Sequence, residues 1–166
     1  QQSQHMTPET MLSLARVGAS ALSPDGKTVV YSVGFPSIKD NKIRTELFTI
    51  SSDGSARRQI TQGIAGVHGA RWIQQGRRIS YISSESGAPQ VWTMAPDGTD
   101  RRQVTNIEGG LSDYLFSPDE KQLAYIKEIS FGKSTKEIYP DLPKATGRIV
   151  TDLMYKHWDE WVETIP

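Results

Sequence analysis

The sequence predicts an all-β chain, a partial β-propeller of about two and a half four-stranded blades behind a short N-terminal helix. The prediction rests on repetition. A ten-residue unit beginning at Leu22 returns at Trp72 and again at Phe116, and a fifteen-residue unit beginning at Leu47 returns at Val91, so that the spacings are 50 and 44 residues. A period near 44 residues holding four short strands is that of a propeller blade, whose sheet is covered on each face by a neighbouring blade.

Each unit has the chemistry of a β-hairpin. Ser23, Pro24, Asp25 and Gly26 suit a type I turn, with Ser in first place, Pro fixing φ in second, Asp third and Gly fourth. The third copy keeps Ser117, Pro118 and Asp119 but has Glu120 where Gly stood, and the second copy keeps only Gly76. After the turn, Val29, Tyr31 and Val33 alternate with Val30 and Ser32, and Ile79 and Tyr81 flank Ser80, which is strand periodicity. In the longer unit, LFTISSDGSARRQIT and VWTMAPDGTDRRQVT share seven of fifteen positions. Phe48 and Ile50, matched by Trp92 and Met94, fall on one strand face, and Leu47 and Thr49, matched by Val91 and Thr93, on the other. Both faces are expected to be at least partly buried. Asp53 with Gly54, and Asp97 with Gly98, supply the next tight turn.

These units divide the chain into an N-terminal segment with a short helix (1–16), blade one (17–61), blade two (62–105) and an incomplete blade three with a long insertion (106–166). Thr7 as N-cap, Pro8 at the first helical position and an apolar stripe of Met11, Leu12 and Ala15 predict a helix over 8–16. Innermost strands are expected at 17–22, 68–73 and 112–116, and a second strand of blade three near 122–128. Because strands alternate in direction, all the Ser-Pro-Asp and Asp-Gly turns must lie on one side of the blades. The opposite side carries the connections 35–45, 84–89 and 129–150, which vary in length and are where function is expected.

Composition narrows the function classes. Nineteen Lys and Arg balance nineteen Asp and Glu, with no basic stripe among aromatics, so nucleic acid is not an expected partner. No apolar run approaches the roughly 20 residues that span a bilayer, and no membrane partner is expected. A first residue of Gln rather than Met suits a trimmed export signal or a chain boundary, hence a periplasmic or secreted location. The absence of cysteine rules out disulfides and thiolate zinc sites.

Two segments carry a family resemblance. MTPETMLSLARVGASALSPDGKTVVYSV, starting at Met6, and EIYPDLPKATGRIVTDLMYKHWDEW, starting at Glu137, resemble the N-terminal propeller of bacterial dipeptidyl peptidases and acylaminoacyl peptidases of the prolyl oligopeptidase family. The resemblance implies a propeller that caps a C-terminal α/β-hydrolase domain bearing a Ser-Asp-His triad and that limits access to short peptides. It implies no catalytic residue and no cofactor in this chain. No Gly-x-Ser-x-Gly nucleophile elbow occurs, and the nearest string, Gly18-Ala19-Ser20-Ala21, ends in Leu22. Glu160 and Glu163 are the candidates for binding a peptide's free amine, as acidic residues do in related dipeptidyl peptidases. The alternative is a non-catalytic propeller like periplasmic TolB, a protein-binding module that shares the Ser-Pro-Asp-Gly repeat.

The remaining candidates read as structure. His157, Asp159 and Glu160 match no established metal-ligand spacing, so no metal site is expected. Trp158 and Trp161 read as packing anchors. The pairs Arg57/Arg58, Arg77/Arg78 and Arg101/Arg102 recur beside turns, which points to solvated strand ends or ion pairs with the turn aspartates rather than a polyanion surface. His5 and His68 are isolated. The sequence stops at Pro166, where the family supplies the next strand of blade three, so a truncated chain is expected to self-associate through exposed blade faces.

Overall fold

The Ser-Pro-Asp turn shows how each blade begins. In the computed structural model, which describes residues 5–129, 133, 135–142, 144, 156–157 and 160–161, the Ser23 hydroxyl donates to Asp25 Oδ1 (2.6 Å) and accepts from the Thr28 N–H (2.9 Å). Asp25 Oδ1 also accepts from the Lys27 N–H at 3.1 Å. The copy at Ser117 repeats the set with Asp119, Lys121 and Gln122 at 2.6, 3.2 and 3.0 Å. The serine hydroxyl bond, followed by the backbone N–H, holds the Asp25 and Asp119 carboxyls below the usual range.

The fourth turn position needs a left-handed backbone, which glycine adopts without penalty: Gly26 has φ of +71°. Glu120 adopts +56° at the same place, and its carboxylate accepts the N–H of Gln74, in the blade-two turn, at 2.7 Å. Blade two, without Ser-Pro-Asp, turns through Gln74, Gln75 and Gly76, all at positive φ. A Cβ on Gly76 would sit 3.3 Å from Pro24 Cδ, so the three turns adjoin on one side.

From these turns the strands follow in order. Blade one is a sheet of β1 (Arg16–Leu22), β2 (Thr28–Ser37), β3 (Lys42–Ser51) and β4 (Arg58–Gln59), each antiparallel to the next. Blade two repeats it with β5 (His68–Ile73), β6 (Arg78–Ser83), β7 (Gln90–Met94) and β8 (Arg102–Gln103). Blade three contributes β9 (Asp113–Phe116) and β10 (Leu123–Ile126). The chain divides into two units, Gln1–Lys127 and Glu128–Pro166. The second contains a one-turn helix, Thr135–Ile138, and a short hairpin pairing β11 (Lys156–His157) with β12 (Glu160–Trp161).

Two sequence expectations need correction. The N-terminal helix α1 is Pro8–Ser13, capped by the Thr7 hydroxyl as expected, but Leu14 is already extended and Arg16 opens β1, so Ala15 is not helical. Met11 and Leu12 are exposed, so their stripe covers no core. The connection expected over 35–45 is mostly strand: Phe35 pairs with Arg44, Pro36 with Ile43 and Ser37 with Lys42, leaving only residues 38–41 as a loop. Strand β1's last pairing toward this end is Arg16 with Gly34, so Pro36 lies on an open edge where its missing N–H costs nothing.

The core lies between blades. Blade one's trailing face, Val30 and Leu47, packs with Ile60, Ile64 and Val67 of the connecting segment against blade two's leading face, Ile79, Tyr81 and Met94. Blade two's trailing face, Ile82 and Val91, packs in turn against Leu111 and Tyr114, with Phe116 and Leu123 beside them. The Tyr114 hydroxyl reaches back to the Gly69 carbonyl (2.9 Å) and the Ser80 hydroxyl (2.8 Å). Burial pushes this phenol up to about 12.

Two outcomes follow from this packing. Gly98 and Gly54 hold the same turn position at φ of +90° and +86°, but a Cβ on Gly98 would meet the Ile60 carbonyl at 2.4 Å and one on Gly54 would meet nothing. Gly54→Ala should cost about 1 kcal/mol and Gly98→Ala about 3 kcal/mol or more, measured by urea unfolding; equal losses would mean the blades do not touch there. The raised Tyr114 value means that the folded state holds this proton more tightly than the unfolded chain. Stability from this group is therefore complete below pH about 10 and is lost as pH rises to about 12, a fall of about 2–3 kcal/mol. Tyr114→Phe should flatten that part of the stability–pH curve, and an unchanged slope would contradict the burial.

Candidate functional site

On the side opposite the tight turns, a polar clasp recurs at the blade period. In blade one the fully buried Glu46, midway along β3, accepts the Thr61 hydroxyl proton (2.7 Å) and the Gly63 N–H (2.8 Å). The same Thr61 oxygen accepts the Leu47 N–H at 2.8 Å. In blade two Gln90 takes the place of Glu46: its Oε1 accepts from the Thr105 hydroxyl (2.8 Å) and the Ile107 N–H (3.0 Å), its Nε2 donates to the Ile107 carbonyl (2.7 Å), and Thr105 accepts the Val91 N–H (2.9 Å). Gln59 and Gln103 complete the pattern by donating to the carbonyls of Thr61 and Thr105 at 2.7 and 2.6 Å. The clasp ties the third strand to the segment that leads into the next blade, and every buried donor in it is paired. Residues Glu46 and Gln90 escape a reading of the repeat because they stand one place before it and differ in type. Their separation of 44 residues and shared side-chain oxygen are the signal that finds them.

Beside the clasp, the connections present different surfaces. The β2–β3 hairpin projects past the clasp, with Ile38, Lys39, Lys42 and Ile43 exposed. The 84–89 connection is short and anchored, Ser84 N–H and Ser83 hydroxyl both donating to the Ala65 carbonyl at 2.9 and 3.1 Å. Arg101 joins it to the blade interface: it pairs with Glu85, donates to the Tyr81 hydroxyl at 3.2 Å and stands 6.0 Å over the Trp92 ring. The Glu85 bond raises the Arg101 value, so the guanidinium stays charged. An open depression of about 310 Å³, lined by Ser86, Gln103, Val104, Thr105 and Asn106, lies next to it.

The structure places the other sequence candidates as follows. Ser23, Pro24, Asp25, Gly26, Ser117, Pro118 and Asp119 form turns on the opposite side. Asp53 and Asp97 cap theirs by accepting from the N–H and the hydroxyl of Ser55 (2.9 and 2.7 Å) and of Thr99 (3.0 and 2.6 Å), and the hydroxyl bond first, then the N–H, lowers each carboxyl. Of the basic pairs, Arg78 and Arg102 meet Asp100 at 2.7 and 2.9 Å, and Arg57 lies 4.9 Å over Phe48, so they are largely committed within the blades. Ser20 is in β1, in no catalytic arrangement. The backbone of Glu160 belongs to β12, opposite His157. The Glu160 side chain, Trp158, Asp159 and Glu163 lie outside the described residues. Among the described residues no three His, Asp or Glu side chains stand together as metal ligands.

No family model matches the chain. Relatives do: it is 61% identical over 163 residues to dipeptidyl-peptidase 5 of Porphyromonas gingivalis, an alignment covering 98% of this chain and 24% of that protein. The chain is a β-propeller segment, similar over nearly all its length to a part of that peptidase. Dipeptidyl-peptidase 5 of Porphyromonas endodontalis is 53% identical over 165 residues, covering 99% of this chain and again 24% of the relative. The chain thus spans about a quarter of the length of the curated relatives it matches. Solved structures agree on the fold. The β-propeller domain of the Trilobed protease from Pyrococcus furiosus gives a TM-score of 0.51 at 16% identity, over 67% of this chain and 34% of that one. Acylaminoacyl peptidase of Pyrococcus horikoshii gives 0.57 at 14%, over 70% and 18%, and TolB of Acinetobacter baumannii 0.56 at 21%, over 69% and 27%.

The clasp makes an asymmetric forecast. Glu46→Gln should cost about 1 kcal/mol, since one of the two carboxylate oxygens that accept separately from Thr61 and Gly63 becomes an amide nitrogen and the 3.6 Å pair with Arg44 is lost, whereas Thr61→Val should cost about 2–3 kcal/mol by orphaning the buried Leu47 N–H and a Glu46 oxygen together. Chemical denaturation of both variants checks this; equal costs would show that Thr61 is not the hub.

Proposed function

We propose that this segment serves in a serine exopeptidase as part of the propeller that stands over the catalytic domain and admits only short peptides. The observation that carries the reading is the 61% identity to dipeptidyl-peptidase 5 across 98% of the chain, in a sequence with no nucleophile elbow of its own. The chemistry then belongs to a C-terminal α/β-hydrolase domain, the partner of this segment in a longer protein. A rigid scaffold with adaptable connections on one side is what such a gate needs. The clasp supplies the rigidity, and the β2–β3 hairpin with the 84–89 connection supplies the side that faces the peptide's route. Glu160 and Glu163 are assigned the peptide's free amine, where a carboxylate offers a charge-assisted bond to an ammonium group. The location is periplasmic or secreted, as suits an enzyme that meets peptides outside the cytoplasm. The TolB-like reading shares the fold alone.

The coding sequence beyond Pro166 and the isolated chain test this together. A Gly-x-Ser-x-Gly motif should follow within a few hundred codons, and the 166-residue chain should not turn over dipeptidyl chromogenic substrates. A reading frame without that motif, or turnover by the isolated chain, would contradict the proposal.

A further inference from the structure

The 84–89 connection is tied to the blade at both ends through neighbouring backbone and in the middle through one side chain. At its start the Ser84 N–H and the Ser83 hydroxyl donate to the Ala65 carbonyl (2.9 and 3.1 Å), and at its end the Pro89 carbonyl accepts the Leu111 N–H (3.0 Å). Between these ties a tight turn is closed by the Gly87 N–H on the Ser84 carbonyl at 3.0 Å, and the Glu85 N–H donates to the Ser83 hydroxyl at 3.2 Å. Ser86 and Gly87 at the tip are exposed. Among the described residues, Glu85 is the one residue of that turn whose side chain bonds outside the connection, pairing with Arg101 at the entry to β8.

Arg101 is itself held from beneath. Its guanidinium lies 6.0 Å over the Trp92 ring and its Nε donates to the Tyr81 hydroxyl at 3.2 Å, while the Tyr81 ring is buried in the interface with blade one. The stacking belongs to the repeat: 44 residues earlier, Arg57 lies 4.9 Å over Phe48, the counterpart of Trp92. The ion pair does not. The only acid in the 35–45 stretch of blade one, Asp40, accepts the Ser37 hydroxyl proton within its own hairpin at 2.7 Å. Blade two thus adds an acid at its loop tip to an arginine that both complete blades provide. The Arg101 and Glu85 side chains are only 33% and 26% exposed, so water screens the pair in part. The planar guanidinium serves Tyr81 through Nε and Glu85 through a terminal nitrogen at the same time, a fork that fixes direction as well as charge.

We infer that Arg101 is a positioning residue, which through Glu85 holds the tip of the 84–89 connection in one place against blade two. The gate reading gives this a consequence for substrate, and that half of the inference rests on it. A connection held still presents one shape to an entering peptide. Loss of the strut therefore weakens peptide binding and leaves alone the chemical step, which that reading assigns to another domain, so KM rises while kcat stays.

Hydrogen exchange on the full-length protein that contains this segment, together with steady-state turnover of dipeptidyl chromogenic substrates, tests both halves. Arg101→Met keeps an aliphatic stem over Trp92 and removes the charge, and Glu85→Ala removes the other partner. Each should speed exchange of the Ser84, Glu85 and Gly87 amides at least about tenfold while the Leu47 and Val91 amides stay as slow as before. The double variant should add nothing to either single one. The same two substitutions should raise KM about fivefold with kcat within about twofold. Tyr81→Phe should do neither, since the pair with Glu85 survives it, and Arg101→Lys should restore part of both effects. Unchanged exchange at the connection, additive single effects, a Tyr81→Phe variant that matches Arg101→Met, or Leu47 and Val91 amides that speed up alike would each overturn the positioning role. A KM that does not move, or a fall in kcat alone, would overturn the consequence for substrate. An unmodified protein without peptidase turnover would remove the gate reading and that consequence together, and the exchange result would still decide whether Arg101 positions the connection.

Discussion

No blade of this protein holds a core of its own, and the rest of the structure answers to that constraint. A four-stranded sheet has two faces and no interior, so Val30 and Leu47 are dry only because Ile79, Tyr81 and Met94 of the next blade lie against them. Fully burying an aliphatic or aromatic side chain is worth about 1.5–3 kcal/mol. Several such residues at each junction outweigh anything a single turn contributes. The turns matter because they aim the strands: the Asp97–Gly98 turn brings its backbone against the Ile60 carbonyl, and Glu120 reaches across to the blade-two turn.

The polar residues divide the blades into two unlike sides. On one, short turns closed by Asp25, Asp53, Asp97 and Asp119 are satisfied locally and leave little free to meet a partner. On the other, the Glu46 and Gln90 clasps hold each third strand to the segment entering the next blade, and beyond them the connections vary freely in length. Loops on foundations that do not move are the combination the proposed gate calls for.

Much of this was legible in the sequence, for a physical reason: turn chemistry is local, so Ser-Pro-Asp and Asp-Gly leave a signature wherever they recur. The period then supplied the fold. What failed were stretches where neighbours override local preference. Pro36, inside the connection expected over 35–45, looks like a loop residue, yet the ladder from β3 carries β2 through to Ser37. The helix lost its last turn because β2 recruits Arg16 and Val17 into a strand. The clasp was hidden because its hub lies just outside the repeated string, and Tyr114 bonding to Ser80 is visible only once blades three and two are side by side. Glu160 and Glu163 rest on resemblance alone.

Blades one and two stand or fall together through their shared interface. Native-state hydrogen exchange of the Leu47 and Val91 amides, each held by a threonine hydroxyl in its own blade, tests it most directly. Both should exchange only through one common unfolding event, with the same opening free energy and the same dependence on denaturant. Opening free energies that differ by more than about 2 kcal/mol, with one blade exchanging while the other stays protected, would contradict it.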